Sequence, residues 1–203
     1  MAIRAALLDM DGTIYESGID WLEIRRKTGL PNVGQPILRQ LEALEASDPE
    51  KVARGREILL QAEADGAANG RLIPGAEELI GFLRARGVRC ALITNNSRRS
   101  LDTFLAKHPL PFDLVLSRDD GAAKPDPGIF HVALSRLGVE PWEAIAIGDA
   151  HLDVIAAHRA GLAEIVLVAS PSWMADHIPA EADYHTATDL IDARGKIAEL
   201  LDA

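Results

Sequence analysis

Short apolar runs bounded by turn residues alternate along this chain with segments whose hydrophobic positions repeat every three to four residues. The runs predict strands over residues 3–8, 88–94, 112–116, 144–148 and 164–168. Helical periodicity fills the intervals between them. Pro74-Gly75 opens "AEELIGFLRARG", where Leu79, Ile80 and Leu83 form a stripe that stops at Gly87. Asp126-Pro127 reads as cap and first turn of "GIFHVALSRLG", with Ile129, Phe130, Ala133, Leu134 and Leu137 facing inward. Alternation of this kind predicts an α/β fold with a parallel sheet covered on both faces. Ligands of such sheets collect at the carboxyl ends of the strands.

One interval breaks the pattern. Residues 16–72 contain no good strand and show three helical stretches instead: "DWLEIRRKTGL", "QPILRQLEALE" and "DPEKVARGREILLQAEADG". Asp48-Pro49 is a helix start, and Ile37, Leu38, Leu41 and Leu44 line one face of the middle stretch. The expected organisation is a core made of residues 1–15 and 73–203, with a small α-helical insert at 16–72.

Composition narrows the class. With 203 residues, 48% hydrophobic and 26% charged, the chain fits one sizeable globular unit carrying a small insert. No apolar run approaches the roughly 20 residues that span a bilayer. The N-terminal "MAIRAALLDMDG" is too short and too acidic to read as a secretion signal, and the single Cys90 allows no internal disulfide, so a cytoplasmic address is expected. A formal charge of −10 argues against general nucleic-acid or membrane-surface binding, yet leaves room for a small anionic substrate held by a local cation.

The candidate chemistry sits at the predicted strand ends. The first strand runs into "DMDGT", placing Asp9 and Asp11 two residues apart; such acids either face solvent in a turn or share a cation. "LITNNS" delivers Thr94, Asn95 and Asn96, "AAKPDP" places Lys124 just before a helix, and "IGDAHLD" ends a strand in Asp149 with Asp153 four residues on. Clustered alone, Asp9, Asp11 and Asp149 would repel. A hard divalent cation relieves that repulsion and accepts substrate phosphate oxygens, while Lys124 adds a second positive charge. An aspartate nucleophile in such a site can split phosphoryl transfer into two steps.

In order and spacing, these four segments resemble the haloacid dehalogenase-like hydrolase superfamily, and the insert resembles the helical cap of its phosphoglycolate-phosphatase-like branch. The resemblance implies a Rossmann-like core and a Mg²⁺-dependent phosphatase acting on a small phosphate ester, as a monomer or homodimer. By the same resemblance, Asp9 is the nucleophile and Asp11 the general acid and then base. Mg²⁺ is held by the Asp9 carboxylate, the Asp11 main-chain carbonyl and Asp149. Asp153 acts from the outer part of the metal site, through water or by orienting Lys124. Thr94, Asn95 and Lys124 bind phosphoryl oxygens. Asp11 is retained where the superfamily's dehalogenases lack it, which favours phosphate over carbon–halogen chemistry. Neither insert lysine, Lys27 or Lys51, stands in a context that fits imine formation.

Two rival readings stay open: a phosphomutase of the same superfamily, and an idle binding or regulatory module on the same fold. Among secondary residues, Asn96 is expected to be structural, His151 to be a surface or supporting residue, and Asp119 and Asp120 to be solvated. Arg25 or Arg26 in the insert is the first choice for reading a second substrate charge.

Overall fold

Where the chain forms strands it does so with short, fully apolar segments. The computed structural model describes residues 2–32 and 34–202. Its strands are β1 (Ala5–Leu8), β2 (Tyr15–Glu16), β3 (Arg71–Leu72), β4 (Arg89–Ile93), β5 (Leu114–Leu116), β6 (Ala144–Gly148), β7 (Glu164–Val168) and β8 (His185–Ala187). Its α-helices are α1 (Trp21–Thr28), α2 (Ile37–Glu42), α3 (Pro49–Asn69), α4 (Ala76–Ala85), α5 (Arg98–Lys107), α6 (Gly128–Leu137), α7 (His151–Ala160) and α8 (Leu190–Asp202).

Six strands form a sheet in the order β5-β4-β1-β6-β7-β8, with every neighbouring pair parallel. β1 is buried along its whole length and lies at the centre, between β4 and β6. Successive side chains point to opposite faces, so Ala6 and Leu8 join one apolar cluster while Ala5 and Leu7 join the other. Helices α4, α5 and α8 contribute to the first cluster, and α6 and α7 to the second. The inward set expected for α6 is buried throughout, and α6 begins at Gly128, whose N–H donates to Asp126 Oδ1 at 2.8 Å.

The observed strands trim the sequence expectation: 3–8 begins at Ala5, 88–94 narrows to Arg89–Ile93, and 112–116 begins at Leu114. Thr94 therefore stands just past its strand rather than inside it. β8 has no counterpart in the expectation, because His185 and Thr186 carry no apolar signal; it forms by pairing with β7 at the sheet edge.

The helices of the 16–72 segment lie between β2 and β3, which pair antiparallel over two residues each and bring the chain out and back at one point. Asp20 caps α1 by accepting from the Glu23 N–H at 2.8 Å, and Asp48 caps α3 by accepting from the Lys51 N–H at 3.0 Å. These helices share their own buried cluster of Ile24, Leu30, Ile37, Leu41, Val52 and Leu59, against which Leu38 and Leu44 pack with partial exposure. Gly55 admits Leu41 to that cluster, since a Cβ there would fall 2.5 Å from Leu41 Cδ2. α3 also lies along α5 of the core. Tyr15 Oη donates to the Ala67 carbonyl at 2.8 Å, and Lys107 Nζ donates to the Ala68 and Gly70 carbonyls at 3.1 and 2.8 Å. Among the described residues, no helix is long and apolar enough to cross a membrane.

Leu41 is fully buried in the small insert cluster. Leu41→Ala should therefore cost about 2–5 kcal/mol locally. Amide exchange resolved by segment should show lost protection concentrated in α1–α3, with the sheet changed less.

Candidate active site

Four loops at the carboxyl ends of β1, β4, β5 and β6 converge. Asp9 follows β1, and its N–H donates to the Ile147 carbonyl at 2.9 Å, so the acid is held at the last rung of the β1–β6 ladder. Beyond it the chain turns sharply, with the Met10 carbonyl accepting from Thr13, Ile14 and Tyr15 at 3.3, 3.0 and 2.9 Å. Gly12 has φ +83°, and a Cβ there would lie 2.1 Å from Asp149 Oδ2. A Cβ on Gly148 would likewise lie 2.4 Å from Asp153 Cγ. Those two glycines let two carboxylates approach the backbone closely.

Lys124 organises the acids. Its Nζ donates to Asp9 Oδ1 and Asp153 Oδ1, both at 2.5 Å, and to the Ile93 carbonyl at 3.1 Å. The residue is only 3% exposed. Asp153 Oδ2 accepts from the Ala150 N–H at 3.1 Å, which fixes this carboxylate at the start of α7. Thr13 Oγ1 stands 3.4 Å from both Asp9 Oδ2 and Asp149 Oδ1. Carboxylate oxygens of Asp9, Asp149 and Asp153 all lie within 4.8 Å of one another.

One ammonium does not neutralise this many acids. Burial, moderated by Lys124 and reinforced by Asp153, pushes the Asp9 carboxyl up to about 7. Burial and the charges of Asp9 and Asp153 push Asp149 well above the usual carboxylate range. Against the cost of burial, the Asp153 and Asp9 carboxylates raise Lys124, which therefore stays charged. Among the described residues, Asp149 is left without an ion-pair partner of its own. An all-oxygen, multiply acidic set of this kind fits a hard divalent cation such as Mg²⁺ and does not fit a soft one.

Asp11 is set apart from its neighbour Asp9. Its carboxylate turns toward the second loop, where Oδ2 accepts from Asn96 Nδ2. Burial pushes this carboxyl up, against hydrogen bonding by Ser17 and then Asn96, which favours the ionised form. Asp11 thus lies outside the Asp9–Asp149–Asp153 carboxylate triad, and only its main-chain carbonyl is left for the metal role that the sequence analysis assigned to it. That carbonyl is not used by the local bridge, whose bonds run from the Tyr15 N–H to Met10 and from the Gly12 N–H to Tyr15.

The second loop contains surprises. Thr94 is buried and its Oγ1 accepts from the Asn96 N–H at 3.1 Å, leaving its hydroxyl hydrogen to donate. Asn95 is engaged with Lys124: its Oδ1 accepts from the Lys124 N–H and its Nδ2 donates to the Lys124 carbonyl, both at 2.9 Å. The side chain therefore clasps the lysine loop, and only the main chain of Asn95 remains to meet a ligand. Asn96, read from sequence as structural, is the residue that contacts Asp11.

Two further residues escaped the sequence analysis. Glu63 of α3 is 1% exposed; its Oε2 accepts from the Ser97 N–H at 3.1 Å and its Oε1 pairs with Arg118. Arg118 Nη1 also donates to the Asn95 carbonyl at 2.9 Å. A signal did exist: Glu63 continues the buried stripe Val52, Gly55, Leu59, where a carboxylate demands a partner. Arg118 had none, standing alone in a loop.

The insert arginines favoured from sequence are otherwise occupied. Arg25 donates to the Pro31 carbonyl at 3.1 Å and the Gln35 carbonyl at 2.6 Å, bracing the loop between α1 and α2. Arg26 pairs with Glu23 and is largely exposed. His151 is buried rather than on the surface, with Nε2 3.0 Å from the Gly34 carbonyl, so the α1–α2 loop touches the core beside Asp149. Asp119 is exposed, as expected, and accepts from the Arg98 N–H at 2.8 Å; Asp120 is half-buried and accepts from the Ser117 N–H at 2.9 Å.

The raised Asp9 carboxyl has a sign that can be measured. A group with a folded pKa of about 7 against an ordinary 3.8 favours folding while protonated. Metal-free protein should be most stable near pH 4 on this account and lose that advantage as pH rises through about 7. Urea unfolding across this range should show the decline, and Asp9→Asn should make it shallower, the remainder coming from Asp11 and Asp149, which are raised in the same direction.

Residues 3–161 match the profile of the haloacid dehalogenase-like hydrolases. A haloacid dehalogenase-like hydrolase domain-containing protein of Arabidopsis thaliana is 28% identical, over 78% of this chain and 68% of its own length. A phosphoglycolate phosphatase of Pseudomonas savastanoi pv. phaseolicola is 29% identical, over 98% of this chain and 80% of its own. In fold, the crystal structure of a hydrolase from Pseudomonas syringae superposes with a TM-score of 0.76 at 24% identity, covering 97% of this chain and 99% of that one. With strand-end carboxylates gathered on one buried lysine and a profile match across most of its length, the chain belongs to the haloacid dehalogenase-like hydrolase family.

Proposed function

We propose that this protein is a Mg²⁺-dependent phosphatase that hydrolyses a small phosphomonoester through an aspartyl-phosphate on Asp9. The observation that carries the reading is the arrangement around Lys124: Asp9 is held against the ammonium at 2.5 Å while Asp11, two residues on, is turned away and held by Asn96. With bound Mg²⁺ added to the Lys124 ammonium, Asp9 would be held ionised as the nucleophile, while Asp11, away from the carboxylate triad, is placed to carry a proton.

Asp9, the Asp11 main-chain carbonyl and Asp149 would hold Mg²⁺, which supplies charge neutralisation for the transferring group. Asp153 sustains Lys124 and stays beside the metal ligands. Phosphoryl oxygens would be met by the Thr94 hydroxyl, the Asn95 main chain and the Lys124 ammonium. In the first step an Asp9 carboxylate oxygen attacks phosphorus, the ester P–O bond breaks, and Asp11 gives its proton to the departing alkoxide. In the second step water attacks the phosphoryl group, Asp11 takes back a proton, and inorganic phosphate leaves with Asp9 restored. Burial keeps Asp11 protonated more readily than a solvated aspartate, which suits it to the first step. The 16–72 segment would act as the cap, excluding bulk water by closing through the α1–α2 loop that meets His151.

Phosphoglycolate is the first substrate to test, since a phosphoglycolate phosphatase is among the relatives. Phosphate release from a panel of metabolite phosphates should require Mg²⁺ and stop with EDTA. Isomer formation from sugar phosphates without phosphate release would instead make the protein a mutase.

Two substitutions probe the division of roles. Asp9→Asn should abolish turnover, to below about one part in 10³, while circular dichroism stays native; substantial residual activity would remove Asp9 as nucleophile. Asp11→Asn should lower kcat by about 10²–10⁴-fold, and single-turnover kinetics should show both formation and hydrolysis of the phosphoenzyme slowed.

A further inference from the structure

We propose that Glu63, on the long insert helix, is a positioning residue for phosphoryl transfer, acting on the catalytic loops through Arg118 and the Asn95–Ser97 turn; this rests on the phosphatase reading above. The argument begins with burial. Glu63 is a carboxylate in an apolar stripe, 1% exposed, and both its carboxylate oxygens and its carbonyl are used on the core side. Oε2 accepts from the Ser97 N–H at 3.1 Å, Oε1 pairs with Arg118, and the Glu63 carbonyl accepts from Ser100 Oγ at 3.0 Å. Tyr15 and Lys107 separately tie the far end of α3 to the core.

What the buried pair does touch is the turn after β4. Arg118 grips this turn twice, through Nη1 to the Asn95 carbonyl at 2.9 Å and through its own N–H to the Asn96 carbonyl at 3.2 Å. From the same turn, the Asn95 side chain clasps the Lys124 backbone at both ends, and the Asn96 side chain reaches Asp11. Lys124 in turn reaches Asp9. An unbroken chain of hydrogen bonds thus runs from the long insert helix to both catalytic aspartates, with Glu63 at its head. Removing Glu63 would leave the Arg118 guanidinium, 10% exposed, buried without its counter-charge, and the turn would relax toward it.

Glu63→Ala should lower kcat for an aryl phosphate by about 10–100-fold, the range for lost supporting bonds, while KM stays within about threefold. Glu63→Gln keeps the acceptor for Ser97 without the charge and should recover part of the loss. Glu63→Ala with Arg118→Ala should be little worse than Glu63→Ala alone, because the two act as a unit. Lys107→Ala is the control: it removes bonds between α3 and the core far from the turn, and should leave kcat unchanged.

A second readout does not need turnover. The Lys124 N–H is bonded to Asn95 Oδ1 and nowhere meets the insert, so its amide exchange should speed up in Glu63→Ala and remain at the wild-type rate in Lys107→Ala. Wild-type kcat and wild-type Lys124 exchange in Glu63→Ala would overturn the proposal and leave Glu63 as adhesive only. Should the unaltered protein release no phosphate from any ester with Mg²⁺, the phosphatase reading falls, and the Lys124 exchange alone decides whether Glu63 positions the loops.

Discussion

The structure depends on one buried ammonium. Lys124 lies almost wholly out of water, and stripping an ammonium of solvent is costly unless anions replace it. Asp9 and Asp153 do so at 2.5 Å each, with the Ile93 carbonyl as third acceptor. These contacts join the ends of β1 and β4 and the start of α7 to the loop before α6. Breaking a buried pair by removing one partner commonly costs about 3–5 kcal/mol, so the loops cannot drift independently. The same contacts leave the surrounding carboxylates with more negative charge than one lysine balances. That surplus fits a divalent cation: the fold holds the acids together, and the charge defect is of the kind such an ion would offset.

The parallel sheet explains why these loops meet. With β1 central and flanked by β4 and β6, three strands end at neighbouring points, and each connection leaves on the same edge. Glycine at 12 and 148 then removes the side-chain bulk that would keep Asp149 and Asp153 out. Sharing a buried ammonium tolerates little displacement, so strand register and glycine placement act together on the position of a few oxygens.

The insert is bound to the core more firmly than a freely swinging lid would be. α3 is laid along α5 and bonded at both the Glu63 level and its carboxyl end, while α1 and α2 reach the core chiefly through the Gly34–His151 contact. α1 and α2 are packed on α3 through the cluster they share, so the three helices are held to the core as one body. Arg25 acts within the insert, holding the carbonyls of Pro31 and Gln35, which is why a residue of suitable charge for a substrate is spent on the loop itself.

Much of this was legible in the linear chain. Apolar runs bounded by Gly and Pro marked five of the six sheet strands, because a strand buried on both faces must be apolar throughout. The acids at their ends marked the site, because a charge directly after a buried strand needs a reason to be there. Elements with weak local signal were not legible: β8 exists only because β7 offers an edge, and the two-residue β2 and β3 only because the chain leaves and re-enters at one point. Individual partners were not legible either. Sequence order placed Asn95 and Asn96 side by side with no way to tell that one clasps Lys124 and the other holds Asp11, and it left Glu63 and Arg118, 55 residues apart, unrelated. The chain alone determined which residues could do chemistry, since residue type and strand-end spacing are local properties. Only the tertiary structure decided which hydrogen bonds each makes, because a buried polar group takes whichever partner the packing brings within about 3 Å of it.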